Sequence, residues 1–129
     1  AAEMDARKTI LAAKQELVEE AYALALDKLC ELKGEAKVGL LSELLVRAST
    51  TGSEEAVFSA DDKDDAVKAV EKANAASGKK LTVAKDNAPI RGGFILRDKN
   101  VEVNCAFETL VRLQKADTAG EVAKILFSA

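Results

Sequence analysis

The first 32 residues carry apolar and polar positions with the period of an α-helix. Two neighbouring apolar rows make this pattern, one with Ile10, Leu17 and Leu24 and one with Leu11, Val18, Ala25 and Leu32. A helix from about Asp5 to Leu32 would be about 40 Å long at the helical rise per residue. That is long for a domain of this size, so we expect part of the apolar face to project beyond it. The alternative is that the chain's own core covers the whole face.

After Gly34 the pattern predicts a short helix, a strand, a third helix and a second strand. The predicted ranges are residues 36–49, 56–59, a helix that follows Asp61–Asp65 and ends at Gly78, and 81–84. Val67, Val70 and Ala73 should point inward from the third helix. A strand, a helix and a further strand form a right-handed crossover, so these two strands should be parallel.

The last third predicts a β-hairpin followed by two helices. Residues 93–97 and 101–105 alternate in polarity, with Val101, Val103 and Cys105 toward the core. One helix should start at Phe107 and lie over the sheet. Another should open at Thr118 with Glu121 as a capping box and bury Val122, Ile125 and Leu126. The fold class is α+β, with residues 1–33 as a long helix and 34–129 as a globular domain.

Composition narrows the function classes. The net charge of −3 disfavours nucleic-acid binding, which needs a basic face. No apolar run reaches the roughly 20 residues that span a bilayer, and no signal-peptide pattern opens the chain. There is no His, which removes the commonest general base and metal ligand. The chain opens inside a helical pattern without Met, which favours a piece of a longer protein.

No group of residues predicts a catalytic, cofactor or metal site. The acidic run Asp61–Asp65 fits a helix start, with Asp64 paired to Lys68, better than a metal site. Gly92 and Gly93 precede a strand, whereas a phosphate loop follows one, so a bulge or a close backbone approach is the better interpretation.

The remaining reactive groups have structural interpretations too. Cys30 and Cys105 lack CxxC spacing and fit buried thiols in a reducing compartment. Glu102 and Glu108 fit solvated surfaces better than an acid/base pair.

Several segments resemble the E subunit of the prokaryotic V-type (A/V-type) rotary ATPases. They are Gly92–Leu96, Val101–Asn104, Phe107–Leu110 and Val122–Phe127, which occur in the family's order over some 35 residues; the match before about Leu81 is one of general pattern. The resemblance implies a long N-terminal helix, of which an upstream part is missing here, and a C-terminal domain with a four-stranded mixed sheet. It also implies a non-catalytic peripheral-stalk subunit that binds no cofactor.

The same resemblance implies the partners and the location. The long helix would coil with a small helical subunit of the G or H type, and the domain would contact the non-catalytic B subunit of the ATPase head. The protein would then be cytoplasmic, held at the membrane as part of a proton- or sodium-translocating complex. In this role it would keep the head static against rotor torque.

The residues expected to bind the helical partner lie on the leading helix. They are Ile10, Leu11, Leu17, Val18 and Leu24. A membrane-surface helix is less well matched, because the polar face mixes Lys with Glu and lacks Trp and Phe. Two other hypotheses stay open: a small ligand-binding or enzymatic α+β domain, and a scaffold whose leading helix pairs with its own copy.

Overall fold

The computed structural model describes residues 2–127, which form four helices and four strands. In chain order these are α1 (Ala2–Glu31), α2 (Gly34–Ala48), β1 (Glu55–Phe58), a 3₁₀ turn (Ala60–Asp62), α3 (Lys63–Ser77), β2 (Thr82–Val83), β3 (Gly93–Asp98), β4 (Val101–Ala106) and α4 (Phe107–Phe127). The α+β class is confirmed. Ala1, Ser128 and Ala129, which belong to the predicted ranges 1–33 and 34–129, lie outside the described residues.

The four strands form one mixed sheet in the order β2-β1-β3-β4. β1 and β2 are parallel, with Glu55 opposite Thr82, so the predicted crossover through α3 is confirmed. β3 and β4 are antiparallel from the Gly93–Ala106 pair to the Asp98–Val101 pair, which confirms the hairpin. β3 also pairs antiparallel with β1 and thereby joins the hairpin to the crossover unit.

One face of the sheet packs on α2 and α3 and forms the core. Phe58 and Phe94 are opposite each other on β1 and β3, with ring centroids 5.7 Å apart. The other core residues come from α2, α3, the strands and the start of α4: Leu41, Leu45, Ala56, Ala66, Ala69, Val70, Ala73, Leu81, Leu96, Cys105 and Phe107. Small alanines on α3 permit close packing of that helix, mainly against α2.

Gly92 and Gly93 are required by close packing rather than by a ligand. Gly93 has φ +81°, a conformation that favours glycine, and a Cβ there would collide with the carbonyl oxygen of Cys105. A Cβ at Gly92 would lie 2.6 Å from the ring of Phe107. The expectation of a close backbone approach at the entry of β3 is therefore confirmed.

Glu54 organises the loop between α2 and β1. Its buried carboxylate accepts hydrogen bonds from Ser49 Oγ (2.5 Å), Thr50 N (2.8 Å) and Gly52 N (2.9 Å). Burial alone would raise the pKa of Glu54, but hydrogen bonds to the ionised form, led by that from Ser49, outweigh it and lower the pKa to about 2. The ionised carboxylate therefore holds this loop.

Two expectations about α3 were wrong in part. Asp62 occupies the N-cap position, but its side chain makes no capping bond and instead pairs with Lys37 of α2. Asp64 makes no ion pair with Lys68 among the pairs found in residues 2–127. Val70 and Ala73 point inward as expected, whereas Val67 is exposed, because the contact with α2 and the sheet covers a narrower strip than the apolar pattern suggests.

The expected break at Thr118 was wrong, because α4 is one continuous helix. Thr118 Oγ1 donates to the carbonyl oxygen of Gln114 (2.7 Å), an internal bond that replaces the capping role. Val122 is only partly buried, and Ile125 and Leu126 are exposed. The last turns of α4 therefore lie beside the core rather than on it.

The hairpin also departs from strict alternation. Cys105 is buried and Val103 partly so, but Val101 is exposed. These three residues lie on the same face of β4. The helices cover this face near Cys105 but not at Val101, which is at the tip of the hairpin. The expectation that Val101 belongs to the core was therefore wrong.

Candidate partner-binding surface

Helix α4 packs antiparallel on α1. Tyr22 Oη and Thr118 Oγ1 share a hydrogen bond of 2.5 Å, and Lys115 Nζ donates to Glu19 Oε1 at 3.2 Å. Further toward the start of α1, Lys14 Nζ lies 5.3 Å from the ring centroid of Phe127. From Tyr22 to Lys14 the residue numbers fall along α1, whereas those of the α4 partners rise from Thr118 to Phe127, so the two helices form an antiparallel pair.

The last turns of α1 are anchored in the domain. Leu26, Leu29 and Cys30 pack against the core cluster. Arg91 Nη2 donates to Asp27 Oδ1 at 2.9 Å, and the backbone N–H of Arg91 donates to Glu108 Oε2 at 3.0 Å. This end of α1 is therefore fixed both to the loop before β3 and to the core.

The two apolar rows of α1 have different surroundings. Val18, from the second row, is 8% exposed and is the one buried residue in α1. The four other residues expected to bind a partner are between 49% and 57% exposed: Ile10, Leu11, Leu17 and Leu24. The first row is thus free along its length, while α4 covers the second row at Val18 and leaves Leu11 open.

Two grooves run between α1 and α4, one on each side of their contact. The first, here called the Leu24 groove, has a volume of about 370 Å³ and is lined by Leu17, Glu20, Ala21, Leu24, Leu126 and Phe127. The second, called the Leu11 groove, has a volume of about 570 Å³ and is lined mainly by Leu11, Lys14, Gln15, Val18, Glu19, Lys115, Ala119, Gly120, Ala123 and Phe127. Phe127 contributes to both grooves, so the end of α4 shapes both sides of the pair.

Sequence reasoning missed the contribution of α4 to this surface. The pattern predicts that Leu126 is buried by the domain, yet Leu126 and Phe127 lie beside α1. Ala119 and Ala123, four residues apart on one face of α4, were the available signal. Small side chains at that spacing permit two helices to approach closely.

The two cysteines and the two glutamates considered as candidate reactive groups do not form a common site. Burial raises the pKa of the Cys105 thiol, and burial is also the largest influence raising the pKa of Cys30, which keeps both in the unreactive thiol form. Glu108 accepts the Arg91 N–H bond, and Glu102 is exposed on β4. Residues 2–127 contain no cluster of three potential metal-ligating carboxylates and thiols.

In the described part of the chain, no helix is both long enough and apolar enough to cross a membrane.

Known proteins match the chain over nearly its whole length. The family model described as ATP synthase (E/31 kDa) subunit matches residues 1–127. The E subunit of the V-type proton ATPase of Thermoanaerobacter pseudethanolicus is 36% identical over 126 residues, covering 93% of this chain and 63% of the relative. The E 1 subunit of the V-type ATP synthase of Clostridium tetani is 31% identical over 127 residues, covering 95% and 64%.

These matches confirm the resemblance. The chain spans less than two thirds of the length of these two relatives. The family model nevertheless extends across the leading helix, the sheet and α4 alike. The chain belongs to the ATP synthase (E/31 kDa) subunit family, that of the E subunits of V-type ATPases and ATP synthases.

Proposed function

We propose that this chain is a non-catalytic peripheral-stalk subunit of a proton- or sodium-translocating V-type ATPase or ATP synthase. In this role α1 pairs with the small helical stalk subunit of the G or H type. The sheet domain contacts the B subunit of the head, and the protein stays in the cytoplasm, held at the membrane by the complex. It resists rotor torque while catalysis occurs in other subunits.

One observation carries the proposal: a free apolar row on a long helix in a member of this E-subunit family. Ile10, Leu17 and Leu24 repeat at seven-residue spacing and are about half exposed, although α4 packs on the neighbouring row. Seven-residue spacing keeps an apolar seam facing a second helix that supercoils around the first. Leu11, at the open end of the second row, is equally exposed and offers the partner a further contact from the Leu11 groove.

The surface supports a protein contact rather than a small-molecule site. The Leu24 groove is lined mainly by aliphatic residues, whereas an enzyme site needs convergent polar groups near a perturbed ionisable residue. Val18, one of the five expected contacts, is already buried, so the proposed seam consists of the other four.

The test is co-purification of the chain with the small helical subunit of the same complex. Leu17→Asp combined with Leu24→Asp puts two carboxylates into the seam, and we expect it to abolish capture of the partner. The matched control is Val67→Asp with Val101→Asp, which changes two exposed apolar residues on α3 and β4.

The control pair should capture the partner as the wild type does. Undiminished capture by the Leu17/Leu24 variant would contradict the proposed face. Mass measurements of the chain with and without the helical subunit test the scaffold alternative. A homodimer that persists when the helical subunit is added would favour self-association.

A further inference from the structure

We propose that the C-terminal end of α4 forms the second wall of the seat for the partner helix. This inference rests on the proposed function and adds the Leu24 groove to it. Leu17 and Leu24 of α1 form one wall of that groove, and Leu126 and Phe127 of α4 form the other. The partner helix would then lie against two helices rather than on a single one.

The shape of the groove favours an α-helix as its occupant. Leu17 and Leu24 are seven residues apart, with the small Ala21 between them on the groove wall. Side chains of a packed helix insert into the spaces between such residues, and a small residue there permits close approach. Leu126, 48% exposed, faces this space from α4 and offers a third aliphatic contact.

Phe127 fixes the relative position of the two walls. Its ring lines both grooves and lies near Lys14 on α1. A large aromatic residue at this position holds the end of α4 against α1 and keeps Leu126 at the edge of the seam. The apolar surface offered by α1 therefore continues across the Leu24 groove onto the last turn of α4.

Charge on the rim narrows the identity of the occupant. Glu20 lines the Leu24 groove, and Glu16 precedes it by one helical turn on the same strip of α1. Both are exposed, and neither is in an ion pair with another residue of the described part. The occupant is thus an amphipathic helix with Lys or Arg beside its apolar seam, because such residues complement an acidic rim.

The test measures affinity for the purified small helical subunit of the same complex, with Leu126→Asp as the variant. We expect a loss of about tenfold, the effect typical of an important interface side chain. Ile125→Asp is the matched control, because Ile125 is the preceding residue, is 77% exposed and is absent from the Leu24 groove. It should bind within about threefold of the wild type, as rim and non-contact residues do.

The failure of this inference differs from the failure of the proposed function. If Leu17→Asp with Leu24→Asp abolishes binding while Leu126→Asp binds as the wild type does, α1 alone is the seat and the inference is wrong. If neither variant affects binding, the proposed face on α1 is wrong as well. Circular dichroism of each variant establishes that it is folded, and Leu126→Ala provides a milder truncation if the Asp variant is not.

A charge reversal tests the acidic rim. Glu20→Lys should weaken binding by about two- to fivefold at low salt, a difference that salt should reduce, because the charges are exposed and screened. Glu71→Lys on the exposed side of α3 makes the same charge change away from the groove and should have no effect. Tighter binding by Glu20→Lys would show that the occupant is acidic there. If the light-scattering mass of the chain alone is that of a dimer, and Leu126→Asp affects only that dimer, the occupant is a second copy.

Discussion

The sheet domain and the α1–α4 pair differ in how much of their apolar surface they bury. The domain encloses two phenylalanines in tilted contact, aliphatic residues from α2 and a row of alanines on α3. In α1 and α4 together, which make up 51 of the described residues (30 and 21), only Val18 and Phe107 are buried. A pair of helices shares one face, so their other apolar rows stay open until a further element covers them.

The sheet domain and the α1–α4 pair also differ in how far their polar contacts are buried. In the domain, Asn74 both donates to and accepts from the backbone of Leu81 at 2.9 Å, and Lys79 Nζ donates to the carbonyl oxygen of Ser49 at 2.9 Å. The ion pair between α1 and α4, Lys115 with Glu19, is largely solvent-exposed and contributes little. The domain therefore holds its loops with part-buried side-chain hydrogen bonds, whereas the helix pair shares the Tyr22–Thr118 bond and an exposed ion pair.

The largest expected loss of stability comes from a substitution in the core of the sheet domain. Phe94→Ala removes a ring that is fully buried against Phe58 and should lower the free energy of unfolding by about 3–5 kcal/mol. Urea denaturation followed by circular dichroism measures it. A loss below about 1 kcal/mol would mean that the sheet core is not the stabilising region.

The next largest effect is the dependence of stability on pH that the Glu54 carboxylate contributes. The folded pKa of about 2 lies below the ordinary value of 4.5, so the ionised carboxylate stabilises the fold above about pH 5, and this contribution is lost as the pH falls toward 2. Its size is at most about 3 kcal/mol at neutral pH. Glu54→Gln should therefore be destabilised at pH 7 and approach the wild type at pH 3.

Unfolding free energies of both proteins at several pH values test this expectation. Glu71→Gln, on the exposed side of α3, is the control and should follow the wild type throughout. A constant difference between Glu54→Gln and the wild type across this pH range would contradict the assigned role of the carboxylate.

The smallest effect sharpens the contrast between the two rows of α1. Val18→Ala removes two buried methyl groups at the α4 contact and should cost about 1–2 kcal/mol, with faster hydrogen exchange in α1. Leu17→Ala, its sequence neighbour on the free row, should change the stability of the isolated chain by less than about 0.5 kcal/mol. Equal costs would show that both rows are covered within the chain.

The residue pattern was sufficient for the parallel strand pair and the hairpin, whereas the single four-stranded sheet was implied by the family resemblance. Alternation in residues 93–105, the Gly92–Gly93 pair and the strand spacing around α3 each predict a structure that the fold contains. The hairpin and glycine signals depend on backbone geometry within a few residues, such as the positive φ at Gly93, and the crossover signal depends on the order of neighbouring elements. The same applies to the family resemblance, which was carried by this hairpin and the helix that follows it.

The packing of α4 could not be predicted because it depends on contacts between distant residues. Thr118 and Glu121 have the spacing of a capping box, yet Thr118 bonds to Tyr22 and to its own helix. The local preference for a helix start was overridden by the α1 contact, which keeps α4 continuous. The exposure of the residues proposed to bind a partner was predicted more accurately, since four of the five are exposed, and only Val18 is covered by that same contact.

Besides the packing of its last turns on the core, α1 is attached to the rest of the molecule at two places. One is covalent, through Leu32 and Lys33 into α2, and the other is lateral, through α4, which follows β4 directly without an intervening loop. A sideways load on the projecting end of α1 is therefore divided between the layer of α2 and α3 and the edge of the sheet. Without α4, only the last turns of α1 would be held, by the junction and by their contacts with the core, and the rest of the helix would be free to bend.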